Sequence, residues 1–144
     1  MRNPDLARDY IRRAVVRLDA LDVLFVGESW ADVVREAQEL VELTLKSLLR
    51  ATGIDPPRVH DVSEILLAER SRLPEEVAED LEFLTRTSRA LRRDRELAFY
   101  GAEDLTPSGF YSREDAEEAR AAARKVVELV RPHVEKGESR GWQD

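Results

Sequence analysis

The sequence predicts an all-α fold, an up-and-down bundle of four long helices plus one short helix, and two observations carry this prediction. Apolar residues recur at a spacing near 3.6 residues through most of the chain, which is the period of a helix with one buried face. Alternating polar and apolar stretches of useful strand length do not occur in the sequence. A length of 144 residues suits one domain. We therefore expect residues 1–137 to form a single helical domain and residues 138–144 to form a flexible C-terminal tail.

The first two predicted helices are long enough to pack against each other as an antiparallel hairpin. The first is expected over residues 5–26, opened by Pro4 and ended by Gly27. The second is expected over residues 30–52, with Ser29 as its N-cap. Its apolar stripe is too wide for a single neighbour, which predicts that this helix lies at the centre of the bundle or faces a second subunit.

Three further helices are expected after the hairpin. Asp61 and Glu64 have the spacing of a capping box for a short helix that ends near residue 70. Pro74 favours the first position of a fourth helix, which reaches roughly residue 97. The last helix is expected over residues 112–136, after a loop rich in Gly, Pro and Ser. The predicted core face of the fourth helix consists of Val77, Leu81, Leu84, Ser88 and Leu91.

The composition excludes several classes of function. Without cysteine, the chain has no disulfide, thiolate zinc site or cysteine nucleophile. No apolar segment is long enough to cross a bilayer and no signal-peptide core is present, so we expect a cytoplasmic protein without membrane contact. No metal-ligand spacing, phosphate loop or dinucleotide fingerprint occurs, and neither a metal nor a cofactor is predicted. The net charge of −7 confines any nucleic-acid contact to a local site.

Residues 86–95 form the most basic stretch of the chain. They contain five arginines and one aspartate, a net charge of +4, so the other 134 residues carry −11. A cationic site on an anionic protein favours an anionic ligand, and Phe99, Tyr100, Phe110 and Tyr111 add rings on which a base can stack. The same pattern also fits a solvated helix face bonded to acidic neighbours, with loop aromatics that anchor residues 101–111 to the core. The sequence leaves both interpretations open.

Three other residues are candidates for chemistry, each with a structural alternative. His60 precedes Asp61 and is either a proton carrier beside a carboxylate or a residue that fills a helix junction. Lys46 either reaches an anion in a dimer cleft or packs its stem while its ammonium stays in water. His133 is expected near the carboxyl end of the last helix, where a protonated imidazole is electrostatically favourable.

The order of several motifs resembles the HEPN family. The segments ARDYIRRAVVRLDAL and AQELVELTLKSLLRATG form the predicted hairpin, HDVSEIL and RELAFYG follow, and an alanine-rich helix ends the series. The resemblance covers about residues 6–134. It implies a compact helical bundle that commonly forms a homodimer. It also implies, in many cases, a complex with a minimal nucleotidyltransferase that acts as a toxin and antitoxin pair.

The resemblance also implies a site from which the catalytic residue is missing. Catalytic HEPN proteins are metal-independent ribonucleases whose signature is an arginine followed a few residues later by a histidine. Here Ala98 lies five positions after Arg93, where the histidine is expected, and neither His60 nor His133 follows an arginine at the signature spacing. The family's histidine is thought to transfer a proton near the 2′-hydroxyl while the arginine holds the phosphate charge. Ala98 therefore implies loss of proton transfer, while the arginines leave a phosphate-binding remnant as the expected site.

These observations define a predicted nucleotide-binding or RNA-binding site and assign no catalytic residue. Arg93 and Arg95 are expected to clamp an anion, with Glu96 orienting one of them and Arg89 nearby. Tyr100 matches the tyrosine after the signature that the partner nucleotidyltransferase can modify in related systems. The leading hypothesis is a cytoplasmic homodimer that serves as a binding subunit for a minimal nucleotidyltransferase. Two alternatives remain open: an active ribonuclease with a variant site of Arg93, Arg95, Glu96 and Tyr100, and a purely structural dimerisation module.

Overall fold

The computed structural model describes residues 4–100 and 106–141, and it describes side chains within residues 4–91 and 106–135. In these ranges all regular structure is helical and no strand occurs, which confirms the predicted all-α class. The four long helices are α1, α2, α5 and α7. In chain order the elements are α1 Pro4–Val26, α2 Trp30–Ala51, α3 Ser63–Ala68, a 3₁₀ turn Arg70–Arg72, α4 Glu75–Glu79, α5 Leu81–Tyr100, α6 Pro107–Phe110 and α7 Arg113–Gly141.

Helix α2 lies at the centre of the bundle. It packs along α1 and α7 over most of its length and along α5 on a third side. More than half of its residues are buried, as a helix with three neighbours requires. The predicted antiparallel pairing with α1 and the predicted central position of α2 are both confirmed.

The chain turns sharply between α1 and α2. Gly27 follows the last residue of α1, as predicted, but the left-handed residue is Glu28, with φ of 59°. The N–H of Ser29 reaches the carbonyl of Leu24 at 3.0 Å, which satisfies a carbonyl of the last turn of α1 in a Schellman motif. Ser29 precedes α2, but its hydroxyl donates to the carboxylate of Asp32 and accepts no backbone N–H of the helix.

Helix α2 ends in the same kind of motif. Gly53 has φ of 83°, and the N–H of Ile54 donates to the carbonyl of Leu49 at 2.8 Å. Glycine adopts this left-handed conformation without a steric cost. The turn directs the following segment, residues 54–62, back along α2, where it carries His60 and Asp61 to the junction described below.

The predicted fourth helix is in fact two helices. The chain is helical over Glu75–Glu79, leaves the helix at Asp80 with ψ of 15°, and is helical again over Leu81–Tyr100. The carbonyl of Asp80 accepts the N–H of Leu84 and so begins α5. Aspartate is less favourable inside a helix than before one, and Asp80 stands at this break. The described ranges therefore contain three short helices, α3, α4 and α6, where the sequence predicted one.

The predicted capping box at α3 is wrong. The N-cap position is occupied by Val62, and Asp61 Oδ1 accepts the N–H of Ser63 at 3.0 Å in a turn that precedes the helix. The same oxygen accepts the hydroxyl of Ser88 on α5 at 2.9 Å. Asp61 is therefore held by a partner 27 residues away, and Glu64 is exposed.

The predicted core face of the fourth helix is buried on α4 and α5, and it consists of Val77, Leu81, Leu84, Ser88 and Leu91. The buried face of α7 consists of Ala116, Ala119, Ala123, Val126, Val127 and Val130. Helix α7 runs to Gly141, beyond the predicted end at residue 136. The predicted loop contains the short helix α6, whose first turn is capped by the Thr106 hydroxyl; residues 101–105 lie outside the described part of the chain.

Candidate functional site

The described part of the basic stretch presents two exposed arginines on the outer side of α5. Arg86 and Arg89 are three residues apart, so their side chains leave the same side of the helix. They line a surface groove together with Glu82, Thr85 and Ala90. The other side of the helix carries the buried residues Leu84, Ser88 and Leu91. Helix α5 thus separates a core face from a basic face.

Arg89 is oriented by a contact with α3. Its Nε donates to the hydroxyl of Ser63 at 3.0 Å, and Ser63 is buried. This bond fixes one edge of the guanidinium against the protein. Its two terminal amino groups make no hydrogen bond within the described part of the chain. They are therefore available to a planar anion such as a phosphate.

Arg86 is the more open of the two residues. Among the residues with described side chains it has no ion-pair partner, and it lies between two grooves of the surface. The second groove has an apolar floor that includes Phe83, Leu91 and Tyr111. Arg86 lines this groove together with Asp115 and Glu118, so the groove carries two carboxylates beside one cation and does not by itself favour an anionic ligand.

Arg89 is the single predicted site residue whose side chain is described. The side chains of Arg93, Arg95, Glu96 and Tyr100 lie outside the described part, although the backbone of α5 is helical through residue 100. With about 100° of rotation per residue, the backbone places residues 89, 93, 96 and 100 on one side of the helix.

Arg95 has a different position on the same helix. It lies about 120° around the axis from Arg89, on the side that carries Leu84 and Ser88. The backbone therefore groups Arg93, but not Arg95, with the described basic face. The contribution of each side chain to a phosphate site stays a prediction.

His60 is paired with a carboxylate, but not with its sequence neighbour Asp61. Its Nδ1 lies 2.6 Å from Oε1 of Glu42 on α2. The same Glu42 oxygen accepts the amide of the buried Gln38 at 3.1 Å, and its other oxygen is 3.1 Å from Nζ of Lys46. Three donors thus hold one carboxylate and fix the imidazole against α2. His60 therefore fills a junction, which is one of the two alternatives predicted from the sequence. It does so through a hydrogen bond to a side chain.

The surroundings of Glu42 favour its ionised form. Burial by itself acts to raise the pKa of this carboxyl. The hydrogen bonds from His60, Lys46 and Gln38, together with the charge of Lys46, outweigh burial, and the pKa of Glu42 lies below its ordinary value. The Lys46 side chain is only 17% exposed, and its ammonium is bonded to Glu42 and is not directed freely into water.

Asp61 has a similar balance on the side of α5. Burial acts to raise the pKa of Asp61, while hydrogen bonds from Ser63 and Ser88 and the charge of Arg89 lower it, and the net pKa lies below the ordinary value. The backbone N–H of Val62 also donates to the Ser88 hydroxyl at 3.3 Å. Residues 60–63 therefore form a junction that is hydrogen-bonded to α2 at one end and to α5 at the other.

Acidification is expected to destabilise the protein through Glu42 and Asp61. Because each carboxyl has a lower pKa in the folded protein than in the unfolded chain, its ionised form favours folding. This stabilisation is complete above the ordinary carboxyl pKa of about 4 and is lost as the pH falls through the lowered values. Urea unfolding should show the free energy of unfolding decreasing from about pH 5 toward about pH 3.

Two variants assign this pH dependence to the junction. Glu42→Gln and Asp61→Asn should each reduce stability at neutral pH and flatten the acid limb of the profile, whereas Glu64→Gln, at an exposed position of α3, should do neither. An acid limb as steep in both junction variants as in the natural chain would contradict the assignment.

The other sequence candidates have structural roles. His133 lies inside α7 and not at its end, and its Nε2 is 3.3 Å from Oε2 of Glu76 on α4. Tyr111 is 5% exposed and anchors the segment before α7 to the core, with the half-exposed Phe110 ring against it at 4.9 Å. This fits the alternative in which the loop aromatics secure the loop.

Sequence reasoning missed Glu42, Gln38, Ser63 and Ser88. A signal was present for one of them, because Glu42 precedes Lys46 by four residues, the spacing of a helical ion pair. The contacts of Ser63 and Ser88 join segments more than 25 residues apart. No local pattern in the sequence reports such contacts.

Two kinds of feature are absent from the described residues. No helix there is long and apolar enough to cross a membrane. No group of three or more His, Asp or Glu side chains in that part is arranged to hold a metal ion.

Comparison with known proteins identifies the family of the chain. The family model of the HEPN domain matches residues 7–134, nearly the whole bundle. The chain therefore belongs to the HEPN family. This membership indicates a nucleotide- or RNA-related function or a role in dimerisation. No curated protein and no solved structure matches the chain.

Proposed function

We propose that this chain is a non-catalytic HEPN subunit that binds the phosphate groups of a nucleotide or RNA along the basic face of α5. The observation that carries the proposal is the exposed pair Arg86 and Arg89, with the Arg89 guanidinium held by Ser63. Guanidinium groups bind phosphate in a planar, bidentate manner. The helix continues through Arg93, which lies on the same side of the backbone as Arg89.

The proposal that the chain does not cleave RNA is supported by the residue at the signature position. His60 and His133 are the two histidines of the chain, and neither stands at that position. Ala98 occupies the position that the family's proton-transferring histidine is expected to hold. An alanine neither accepts nor donates a proton, so RNA bound at α5 is not cleaved by the family's reaction.

The proposal includes a homodimer and a minimal nucleotidyltransferase as partner in the cytoplasm, as in toxin and antitoxin pairs. Exposed valines on α1 support a protein contact: Val16 is 62% exposed and Val23 72%, and a spacing of seven residues places them on one side of the helix. Co-expression with the product of the adjacent gene tests the partnership. Separation of the two proteins during purification would count against it.

RNA binding by arginine variants tests the phosphate site. We expect a short single-stranded RNA to bind the natural chain, and Arg86→Gln and Arg89→Gln each to weaken binding about tenfold, because each removes a charge-assisted contact. The slope of log affinity against log salt should also become less steep by about 0.7 per arginine removed. Fluorescence anisotropy with a labelled RNA measures both quantities.

A matched control separates a site from general charge. Arg12 is exposed on α1 and belongs to a different surface, so Arg12→Gln removes the same charge elsewhere. It should change RNA affinity much less than Arg89→Gln. Equal weakening by all three variants would contradict a local site on α5.

A further inference from the structure

We propose that the groove between α5 and α7 binds a guanine base of the nucleotide or RNA whose phosphate lies against Arg86 and Arg89. The inference rests on the proposed function, since the base and the phosphate belong to one ligand. It goes beyond that function by naming the base and the residue that selects it, Glu118.

The groove is large enough for a base and has an apolar floor. Its volume is about 460 Å³, within the range of about 300–1,000 Å³ that small-molecule sites occupy. The half-buried Phe83 ring is held from α7 by Lys125, whose Nζ lies 4.1 Å from the ring centroid. A flat base can stack against such a floor. The other apolar lining residues are Val34, Ala90, Leu91, Tyr111, Ala119 and Ala122.

The groove adjoins the phosphate site through shared residues. Arg86 and Ala90 line both this groove and the groove that contains Arg89. Within a nucleotide, one sugar joins the base to its phosphate. A nucleotide whose phosphate binds at Arg86 therefore brings its base to the groove between α5 and α7.

The charged groups of the groove fit an uncharged base that carries hydrogen-bond donors. Arg86 comes from α5, and Asp115 and Glu118 come from α7. One oxygen of Asp115 already accepts the N–H and the hydroxyl of Ser112, at 2.8 and 3.0 Å, at the start of α7. Glu118 is exposed and forms no hydrogen bond or ion pair within the described part of the chain. Its carboxylate is therefore available to a ligand in the groove.

A free carboxylate distinguishes guanine from the other bases of RNA. A carboxylate accepts hydrogen bonds and donates none. Guanine presents two adjacent donors, N1–H and N2–H, on its Watson–Crick edge, the edge by which unstacked RNA bases are commonly recognised. Adenine and cytosine each present one donor beside an acceptor, and uracil presents one donor between two acceptors. Guanine is therefore the base that forms two charge-assisted hydrogen bonds with Glu118.

The test compares short oligouridylates that carry a central guanine, adenine, cytosine or uracil. We expect the natural chain to bind the guanine probe about tenfold more tightly than the other three. A probe with hypoxanthine, which keeps N1–H and lacks the amino group on C2, should have an intermediate affinity. Fluorescence anisotropy of the labelled probes measures each affinity.

Three variants assign the preference to the groove. Glu118→Ala removes the acceptor at a helical position and should abolish the preference for guanine without weakening the uracil probe. A purely electrostatic role of Glu118 would instead change the affinities of all probes equally. Ala122→Leu fills part of the groove and should also reduce the preference. Glu128→Ala removes the same charge at an exposed position of α7 outside the groove and should retain the preference.

The outcomes separate this inference from the proposed function. Equal affinities for the four probes, with binding that still depends on Arg86 and Arg89, overturn the inference while the proposed function stands. A guanine preference that persists in Glu118→Ala overturns the inference as well. Absence of arginine-dependent binding of every probe overturns both.

Discussion

Replacing Ala98 by histidine is expected to give this protein a metal-independent ribonuclease activity well above any that the natural chain has. The substitution places an imidazole five positions after Arg93, the spacing of the catalytic signature in the HEPN family. A positioned general acid or base contributes a factor on the order of 100 to 10,000 to a rate. Helix α5 is continuous through this position, and histidine costs an α-helix less than about 1 kcal/mol relative to alanine.

The activity of Ala98→His is measured as cleavage of a labelled RNA in the presence of a metal chelator. Arg93→Ala in the Ala98→His background is the control, because it keeps the new histidine and removes the phosphate contact; cleavage should return to the level of the natural chain. If Ala98→His folds, binds RNA and cleaves no faster than the natural chain, the proposal that the missing histidine accounts for a non-catalytic role is wrong. Equally, cleavage by the natural chain that depends on Arg93 would show that it is a ribonuclease with a variant site.

The second large effect concerns the centre of the bundle. Leu45 lies on α2 and is fully buried where this helix packs between its neighbours. Leu45→Ala removes buried apolar surface and leaves a cavity, which costs about 2–5 kcal/mol of the free energy of unfolding. Leu43→Ala, on the half-buried side of the same helix, should cost about 1 kcal/mol.

Urea unfolding followed by circular dichroism compares the two leucine variants. Both variants replace leucine by alanine in the same helix, so they change helix propensity equally. The difference between their free energies of unfolding therefore reports burial alone. Equal destabilisation by Leu45→Ala and Leu43→Ala would contradict a central α2. A smaller destabilisation by Leu45→Ala than by Leu43→Ala would contradict the central position of α2 more strongly.

The sequence predicted the long helices and their buried faces because both follow from local periodicity. The spacing of Val77, Leu81, Leu84, Ser88 and Leu91 repeats on one side of a helix, and the structure buries all five. It did not predict the break at Asp80, since the apolar period continues across that residue. A run of helical periodicity does not show where a helix is interrupted and resumed.

The site was predictable only in part, for a related physical reason. The charge and spacing of Arg86 and Arg89 predicted a basic face, and the structure exposes both side chains. The contacts that orient this face come from Ser63 and, through Asp61, from the segment after α2. The pairing of His60 with Glu42 joins positions 18 residues apart. Such contacts depend on how the chain folds back after Gly53, which no local pattern specifies.

The most direct test of the phosphate site follows the arginine Nε–H signals by NMR while oligouridylate is added. Signals of Arg86, Arg89 and Arg93, assigned from single-residue variants, should shift and saturate together, because binding places phosphate oxygens against these guanidinium groups. Signals of Arg12 on α1 and Arg131 on α7 should stay in place. Shifts confined to arginines of α1 and α7, or no shift at any arginine of α5, would contradict the account.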